Sequence, residues 1–270
     1  MTDTSPGPGN GQPKIDTTVA HSARVWNYWL GGKDNYPVDR EAGDYVLSVF
    51  PDIVRIARAD RAFLARAVSY LVGEEGIRQF LDIGTGLPTA NNTHQVAQAM
   101  APESRIVYVD NDPLVLVHAR ALLTGTAEGA CDYVEADVRD TDTILAEAAK
   151  TLDFSRPVAL IMLGILGQVP DSDSPESIVG RLLDAVPSGS YLVAADGVNT
   201  SQTMNEATAR YNENMAYPYN LRSPEQIKGF FAGLELVQPG VVSVPRWRPE
   251  ATRFGDPEEV PAMCGVGRKP

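Results

Sequence analysis

Apolar positions change their spacing along the chain, and each change marks a different kind of element. From Thr18 onward Val19, Ala23, Trp26 and Leu30 fall at i, i+4, i+7 and i+11, the spacing of one helical face, and the doublet Gly31-Gly32 supplies a carboxyl-terminal stop. Pro37 sits where a first helical turn tolerates it and opens a second helix through about Val49, which Phe50-Pro51 ends. A third, longer helix is expected from about Asp52 to Val72, stopping at Gly73. Beyond it the pattern becomes short apolar runs at 79–83, 105–110, 131–136, 157–163 and 190–196, most of them separated by enough chain for a helix. That rhythm predicts an α/β fold with a parallel, doubly wound sheet and helices on both faces. After the fifth run, 201–216 and 223–233 read as helices. LELVQPGVVSVPRW (234–247) and AMCGVGRK (262–269) read as strands with no crossover helix between them, hence an antiparallel pair.

These patterns divide the chain into three. Residues 1–14, rich in Gly, Pro, Ser and Thr, have almost nothing to bury and read as a disordered tail. Residues 15–75 are a helical segment too small for a good core of its own, expected to lie over the sheet as a lid. Residues 76–270 form the Rossmann-like domain. Composition narrows the partners. Of 270 residues 43% are hydrophobic and 21% charged, with a net charge of -12, a field that repels nucleic-acid backbones and anionic lipid headgroups alike. No nucleic-acid or membrane partner is expected, and the amino terminus MTDTSPGPGNGQPK lacks the apolar stretch of a signal peptide, which suggests a cytoplasmic protein. Cys131 and Cys264 show no CxxC or Cys/His spacing, so they read as structural thiols, with no metal site.

The candidate chemistry begins at FLDIGTGLPTA, residues 80–90. A buried strand runs into Gly84-Thr85-Gly86, a turn that lets the backbone approach a ligand closely, at the strand end where nucleotide-like cofactors bind. Thr89 occupies the third small position of the dinucleotide fingerprint and Pro88 precedes it, which damages a pyrophosphate fit. Asp82, two residues before the first glycine, would repel a diphosphate and attract an amino group. A cationic, phosphate-free cofactor is favoured over NAD, and S-adenosyl-L-methionine carries an ammonium and a sulfonium. Asp110, 24 residues after Gly86, ends the second strand where an acid accepts from ribose hydroxyls, and Asp137-Val138 follows the third with an acceptor and an apolar wall for adenine.

Together, ARVWNYWLGGKDNYPVDREAG, GIRQFLDIGTGLPTANNTHQVAQ, RIVYVDNDPLVLVHARALL and RSPEQIKGFFAGLELVQPGVV resemble the actinobacterial S-adenosylmethionine-dependent methyltransferase family, formerly a domain of unknown function. The resemblance spans nearly the whole chain from Ile15. It implies the class I methyltransferase fold, with seven strands and the last antiparallel. It also implies cofactor contacts at Asp82, Gly84, Thr85, Gly86, Asp110, Asn111, Asp137 and Val138; spacing alone makes GGKDNY a helix cap and polar loop, and the resemblance reverses that for Gly31, Gly32 and Asn35 in the lid, implying cofactor contacts there too. Where the family pattern has Tyr-Asp-Tyr-Leu-Leu before Gly-Gly-Lys-Asp-Asn, this chain has Trp26-Asn27-Tyr28-Trp29-Leu30. No acceptor is implied.

Methyl transfer is a displacement in which positioning supplies most of the acceleration, so an acid/base constellation is not required. His94, just after the glycine loop, is the candidate base; His21 and His118 are explained by packing or exposure. Leu163, at the fourth strand end, is expected to wall the cofactor, and a small-molecule methyl acceptor is expected against Tyr28, Tyr211, Met215 and Tyr217. Arg55, Arg58 and Arg61, with Asp52 and Asp60 nearby, read as a solvated helix face. The competing function is a non-catalytic S-adenosylmethionine-binding regulator or interaction module.

Overall fold

The computed structural model describes residues 15–122, 125–213, 215, 217–250 and 255–270. The tail expected over 1–14 lies outside the described residues. Strands β1 (Gln79–Ile83), β2 (Arg105–Asp110), β3 (Ala130–Glu135), β4 (Ala159–Leu163) and β5 (Tyr191–Gly197) pair in parallel in the order β3-β2-β1-β4-β5. The order reverses at β1, which places a crevice between the loops after β1 and β4. β8 (Ala262–Arg268) runs antiparallel beside β5. The stretch 234–247 differs from expectation. Around Pro239 and Gly240 the backbone turns, with Gly240 N–H donating to Val237 O at 2.8 Å, and leaves two short strands instead of one. These are β6 (Glu235–Leu236) and β7 (Val242–Ser243), both paired to β8, so the sheet has eight strands where the resemblance implied seven.

Strand alternation builds two cores. Phe80, Ile106, Tyr108, Ala159, Ile161 and Val193 point to one face, where they meet α3 (Ile53–Gly73) through Ala57, Phe63, Leu64, Ala67, Val68 and Leu71. Leu81, Ile83, Val107, Val109, Leu160, Met162 and Leu192 point to the other. There they pack on α6 (Thr141–Ala148), α7 (Pro175–Asp184) and α9 (Pro224–Gly229), chiefly through Ile144, Ile178, Leu182 and Ile227. The helices α4 (Thr93–Met100), α5 (Pro113–Leu122) and α8 (Gln202–Asn212) complete the layers. Both α8 and α9 are shorter than their sequence patterns. α9 starts in a capping box between Ser223 and Gln226, and the chain turns after Gly229, so Phe230 and Phe231 reach the core from a turn. Residues 214 and 216 of the expected 201–216 helix lie outside the described residues.

The amino-terminal helices α1 (Ser22–Trp29), α2 (Pro37–Val49) and α3 share the core of the first face with the sheet. α1 begins later than its apolar pattern: His21 caps it, and Ala20 makes a parallel bridge to Met215 instead of joining the helix. It ends as expected, with Gly31 at φ 82° and Gly32 N–H donating to Asn27 O at 2.8 Å. α2 carries Pro37 at its first turn and an Asp39 carboxylate that accepts from Tyr36 N–H at 2.8 Å and from His21 N–H at 2.9 Å. Among the described residues no helix is long and apolar enough to cross a membrane.

Candidate functional site

A cavity opens at the carboxyl ends of β1 to β5, and the amino-terminal helices and α8 roof it. Asp82, Gly84, Thr85, Gly86, Asp110, Asn111, Asp137, Val138 and Leu163 all line it, so nine of the positions chosen from sequence meet in one space. The glycine loop is held against β2: Gly84 and Thr85 N–H groups both donate to Val109 O, at 2.8 and 3.2 Å. Gly84 and Gly86 adopt φ of 74° and 67°, a region side chains avoid. A Cβ on Gly84 would lie 2.6 Å from Ile165, in the loop after β4, whereas one on Gly86 would meet nothing within 4 Å. The second glycine thus leaves a bare backbone edge.

Asp110 is buried at the end of β2. Its Oδ2 accepts from Gly86 N–H at 2.8 Å and its Oδ1 from Asp112 N–H at 3.0 Å, which keeps it beside the glycine loop with lone pairs to spare. Burial raises its pKa, while these two amides oppose the rise. Asp112 in turn accepts from Leu114 N–H at 2.9 Å at the start of α5 and from the buried Arg24 Nε at 3.0 Å, with His21 at 3.1 Å. Asp82 is also buried. Its Oδ2 accepts from Thr93 Oγ1 at 2.6 Å, tying β1 to α4, and burial lifts its pKa to about 6 against the Thr93 hydrogen bond and the Arg61 charge. Asp137 spends most of its carboxylate on Arg139, accepting from Nε at 2.7 Å and Nη2 at 2.6 Å, which leaves Val138 as the plainer adenine-side contact.

Other candidates lie elsewhere. His94 does not line the cavity: it is buried in the first turn of α4, its backbone N–H donates to Tyr108 Oη at 2.8 Å and its ring Nδ1 lies 2.8 Å from the same oxygen. The candidate base therefore lies apart from the cavity residues. Gly31, Gly32 and Asn35 are also absent from the lining. Gly32 and Asn35 instead hold Asn27, which does line it. Asn27 Oδ1 accepts from Asp34 N–H at 3.1 Å and from Asn35 Nδ2 at 3.0 Å, and a Cβ on Gly32 would collide with the Asn27 amide. Tyr28 donates to Asp44 at 2.5 Å, and neither Tyr28 nor Met215 is among the residues lining the cavity. Tyr211 and Tyr217 are.

Several lining residues were not apparent in the sequence. Trp26, Asn27 and Trp29 come from α1 and Gln168 from the loop after β4; Tyr219, which the sequence places in one aromatic segment with Tyr211 and Tyr217, lines the cavity as well. Asp60 and Arg61, read as part of a solvated face, line the cavity from α3. Arg61 donates to Ala90 O and Asn91 O, both at 3.1 Å, and Asp60 is 7% exposed with no partner for its Oδ1 among the described residues. Burial, then the nearby Asp196 charge, pushes the Asp60 pKa from 3.8 to about 8, with Arg61 pulling the other way. A raised folded-state pKa contributes stability that is complete below pH 3.8 and is lost as pH rises through about 8. Asp60→Asn should therefore gain melting temperature over the parent as pH rises from about 4 to about 8, the gain levelling off above that. Parallel melting scans showing a constant difference would contradict this.

Comparison with known proteins agrees with this geometry. The model of a family described as S-adenosyl methyltransferase matches residues 8–270. A DUF574-family protein from Streptomyces avermitilis is 46% identical, with a TM-score of 0.90 over 95% of this chain and 100% of its own. A candidate methyltransferase from Thermobifida fusca is 40% identical, with a TM-score of 0.87 over 95% and 97%. An S-adenosylmethionine-dependent methyltransferase from Anabaena variabilis, 12% identical with a TM-score of 0.50 over 95% and 98%, shares the fold. No curated protein matches the chain. With one family model spanning almost its full length, and two relatives of high identity covering nearly all of it, the chain belongs to the S-adenosyl methyltransferase family, whose methyl donor is S-adenosylmethionine.

Proposed function

We propose that the protein binds S-adenosylmethionine in this cavity and transfers its methyl group to a nitrogen or oxygen of a small-molecule acceptor in the cytoplasm. The observation that carries the reading is the succession of strand ends. Gly84 to Gly86 after β1, Asp110 after β2, Val138 after β3 and Leu163 after β4 face one space, each with the chemistry a different part of the cofactor needs. Asp110 would accept from the ribose hydroxyls, the open edge at Gly86 would admit the amino-acid portion, and Val138 would cover the adenine. The bound cofactor supplies an electrophilic methyl.

The chain's own residues do the rest by positioning. α1 and α2 serve as the lid, and the Asn27 clamp built by Gly32, Asp34 and Asn35 fixes the part of it that faces the cavity. Trp26, Trp29 and Tyr211 cover the site with apolar surface, which keeps water from the reacting carbon.

S-adenosylhomocysteine and NAD separate this reading from a nicotinamide enzyme. At about 100 times its dissociation constant, S-adenosylhomocysteine should stabilise the fold by about 2.7 kcal/mol, and NAD at equal concentration should not. Equal melting shifts from the two would sink the assignment.

A further inference from the structure

The cavity contains more acid than the cofactor reading uses. Asp60 on α3 lines the cavity, and Asp196 at the end of β5, next to the lining residue Gly197, acts on it by its charge; they are 7% and 4% exposed, and each keeps a carboxyl oxygen without a partner among the described residues. Asp196 Oδ1 accepts from Tyr219 Oη at 2.5 Å and Gly167 N–H at 3.1 Å, so its Oδ2 is the unused one. Gln168, one residue beyond Gly167, adds a buried amide oxygen, also unpartnered. Nearby cations are largely committed, although Arg61 Nε has no partner among the described residues. Arg222 donates to Leu166 O at 2.7 Å and Val169 O at 2.6 Å, and Arg61 to the carbonyls of residues 90 and 91. Buried polar groups without partners cost stability unless a ligand supplies them.

The wall beside them is aromatic. Trp29 and Tyr211 lie with ring centroids 6.2 Å apart, Trp26 and Trp29 5.7 Å apart, and Tyr219 joins the lining. Carboxyl oxygens and aromatic faces together favour a cationic group over a neutral hydroxyl. An alcohol brings one donor and no charge. A carboxylic acid would add a like charge to a buried acidic pair.

We propose that the methyl acceptor is an amine with an apolar body, its nitrogen held at the Asp60 carboxyl group and its carbon skeleton against Trp29 and Tyr211. The assignment rests on the methyl-transfer reading above and names its substrate class. A protonated amine must first lose a proton, which the Asp60 carboxylate takes. The freed nitrogen lone pair then forms the N–CH3 bond while the C–S bond breaks with its electrons passing to sulfur, which loses its positive charge as the nitrogen gains one.

In the free cavity Asp60, with its pKa near 8, holds a proton at neutral pH; Asp196, Arg61, Tyr219 and Cys264 are the titratable groups whose charges couple to it. An ammonium arriving there displaces that proton into solvent. The cofactor's own ammonium is the competing occupant, so the test must use protein already saturated with S-adenosylhomocysteine.

The experiment is titration calorimetry of that complex at neutral pH with 2-phenylethylamine, 2-phenylethanol and phenylacetate, in two buffers of different ionisation enthalpy. The amine should bind at least about tenfold more tightly than the alcohol, a difference of about 1.4 kcal/mol, and phenylacetate should not bind. The amine's binding enthalpy should change with buffer in the sense of proton release. Asp60→Asn, nearly isosteric, should lose the amine preference and the buffer dependence while binding S-adenosylhomocysteine like the parent. Alcohol binding as tight as amine binding, or no amine binding, in the parent complex would overturn the assignment without any variant. So would an Asp60→Asn protein that loses S-adenosylhomocysteine affinity but keeps the amine. Failure of S-adenosylhomocysteine itself to bind would overturn the methyl-transfer reading and the amine with it.

Discussion

Asp110→Ala should bind S-adenosylhomocysteine at least about tenfold more weakly than the parent, because a hydrogen bond to a charged group contributes about 1.5–3 kcal/mol and two ribose hydroxyls would lose theirs. The loss should exceed the ribose contacts alone. Asp110 also accepts from Gly86 N–H, so its removal frees the second glycine of the cofactor loop. Asp110→Asn should be nearly as harmful: both oxygens already accept from backbone amides, and an amide side chain would set one N–H group against another. Asp112→Ala should act differently. It removes the partner of the buried Arg24 Nε, leaving that guanidinium Asp16 O and Asp39, and it uncaps α5, so it should lower the melting temperature more than the affinity. Calorimetry finding parent-like affinity in a folded Asp110→Ala protein would remove Asp110 from the site.

Arg222→Ala should be the more damaging change for stability, costing about 3–5 kcal/mol and lowering the melting temperature on the order of 10 °C. Arg222 is 2% exposed, and its guanidinium donates to Leu166 O, Val169 O and Asp171 Oδ1 in the loop after β4. Truncation leaves two buried carbonyls without donors and loosens the loop that carries Ile165 and Gln168 into the cavity. Asp171→Ala should cost under about 1 kcal/mol, since that partner is 69% exposed and the two carbonyls keep their donor. Similar melting temperatures for Arg222→Ala and the parent would show that the loop holds itself.

The parts of the site that sequence revealed are those built from neighbours in the chain. Asp82, Gly84 and Gly86 occupy one strand end and its turn, and Asp110 ends an unbroken apolar run, so period and turn chemistry locate them. The helical front end was legible by the same means, down to Pro37 and the Gly31 stop. What was not legible depends on distant packing. Asp60 and Arg61 sit among charges spaced like a solvated face, and only the laying of α3 across the sheet buries them. Asn27 gains its position from Gly32 and Asn35 folding back on it, which no periodicity reports. His94 misled in the opposite way: it follows the glycine loop in sequence, but the alternation of β2 aims Tyr108 at its ring.

The tight approach of Gly84 to Ile165 joins the turn after β1 to the loop after β4. The first belongs to the cofactor reading, and the second leads to Gln168 and the acidic pair. A ligand that displaced Gly84 would press on the loop that meets the other, which would link the two affinities. Thermodynamic reciprocity then fixes a quantity: whatever factor S-adenosylhomocysteine imposes on the affinity of the amine, the amine imposes the same factor on S-adenosylhomocysteine.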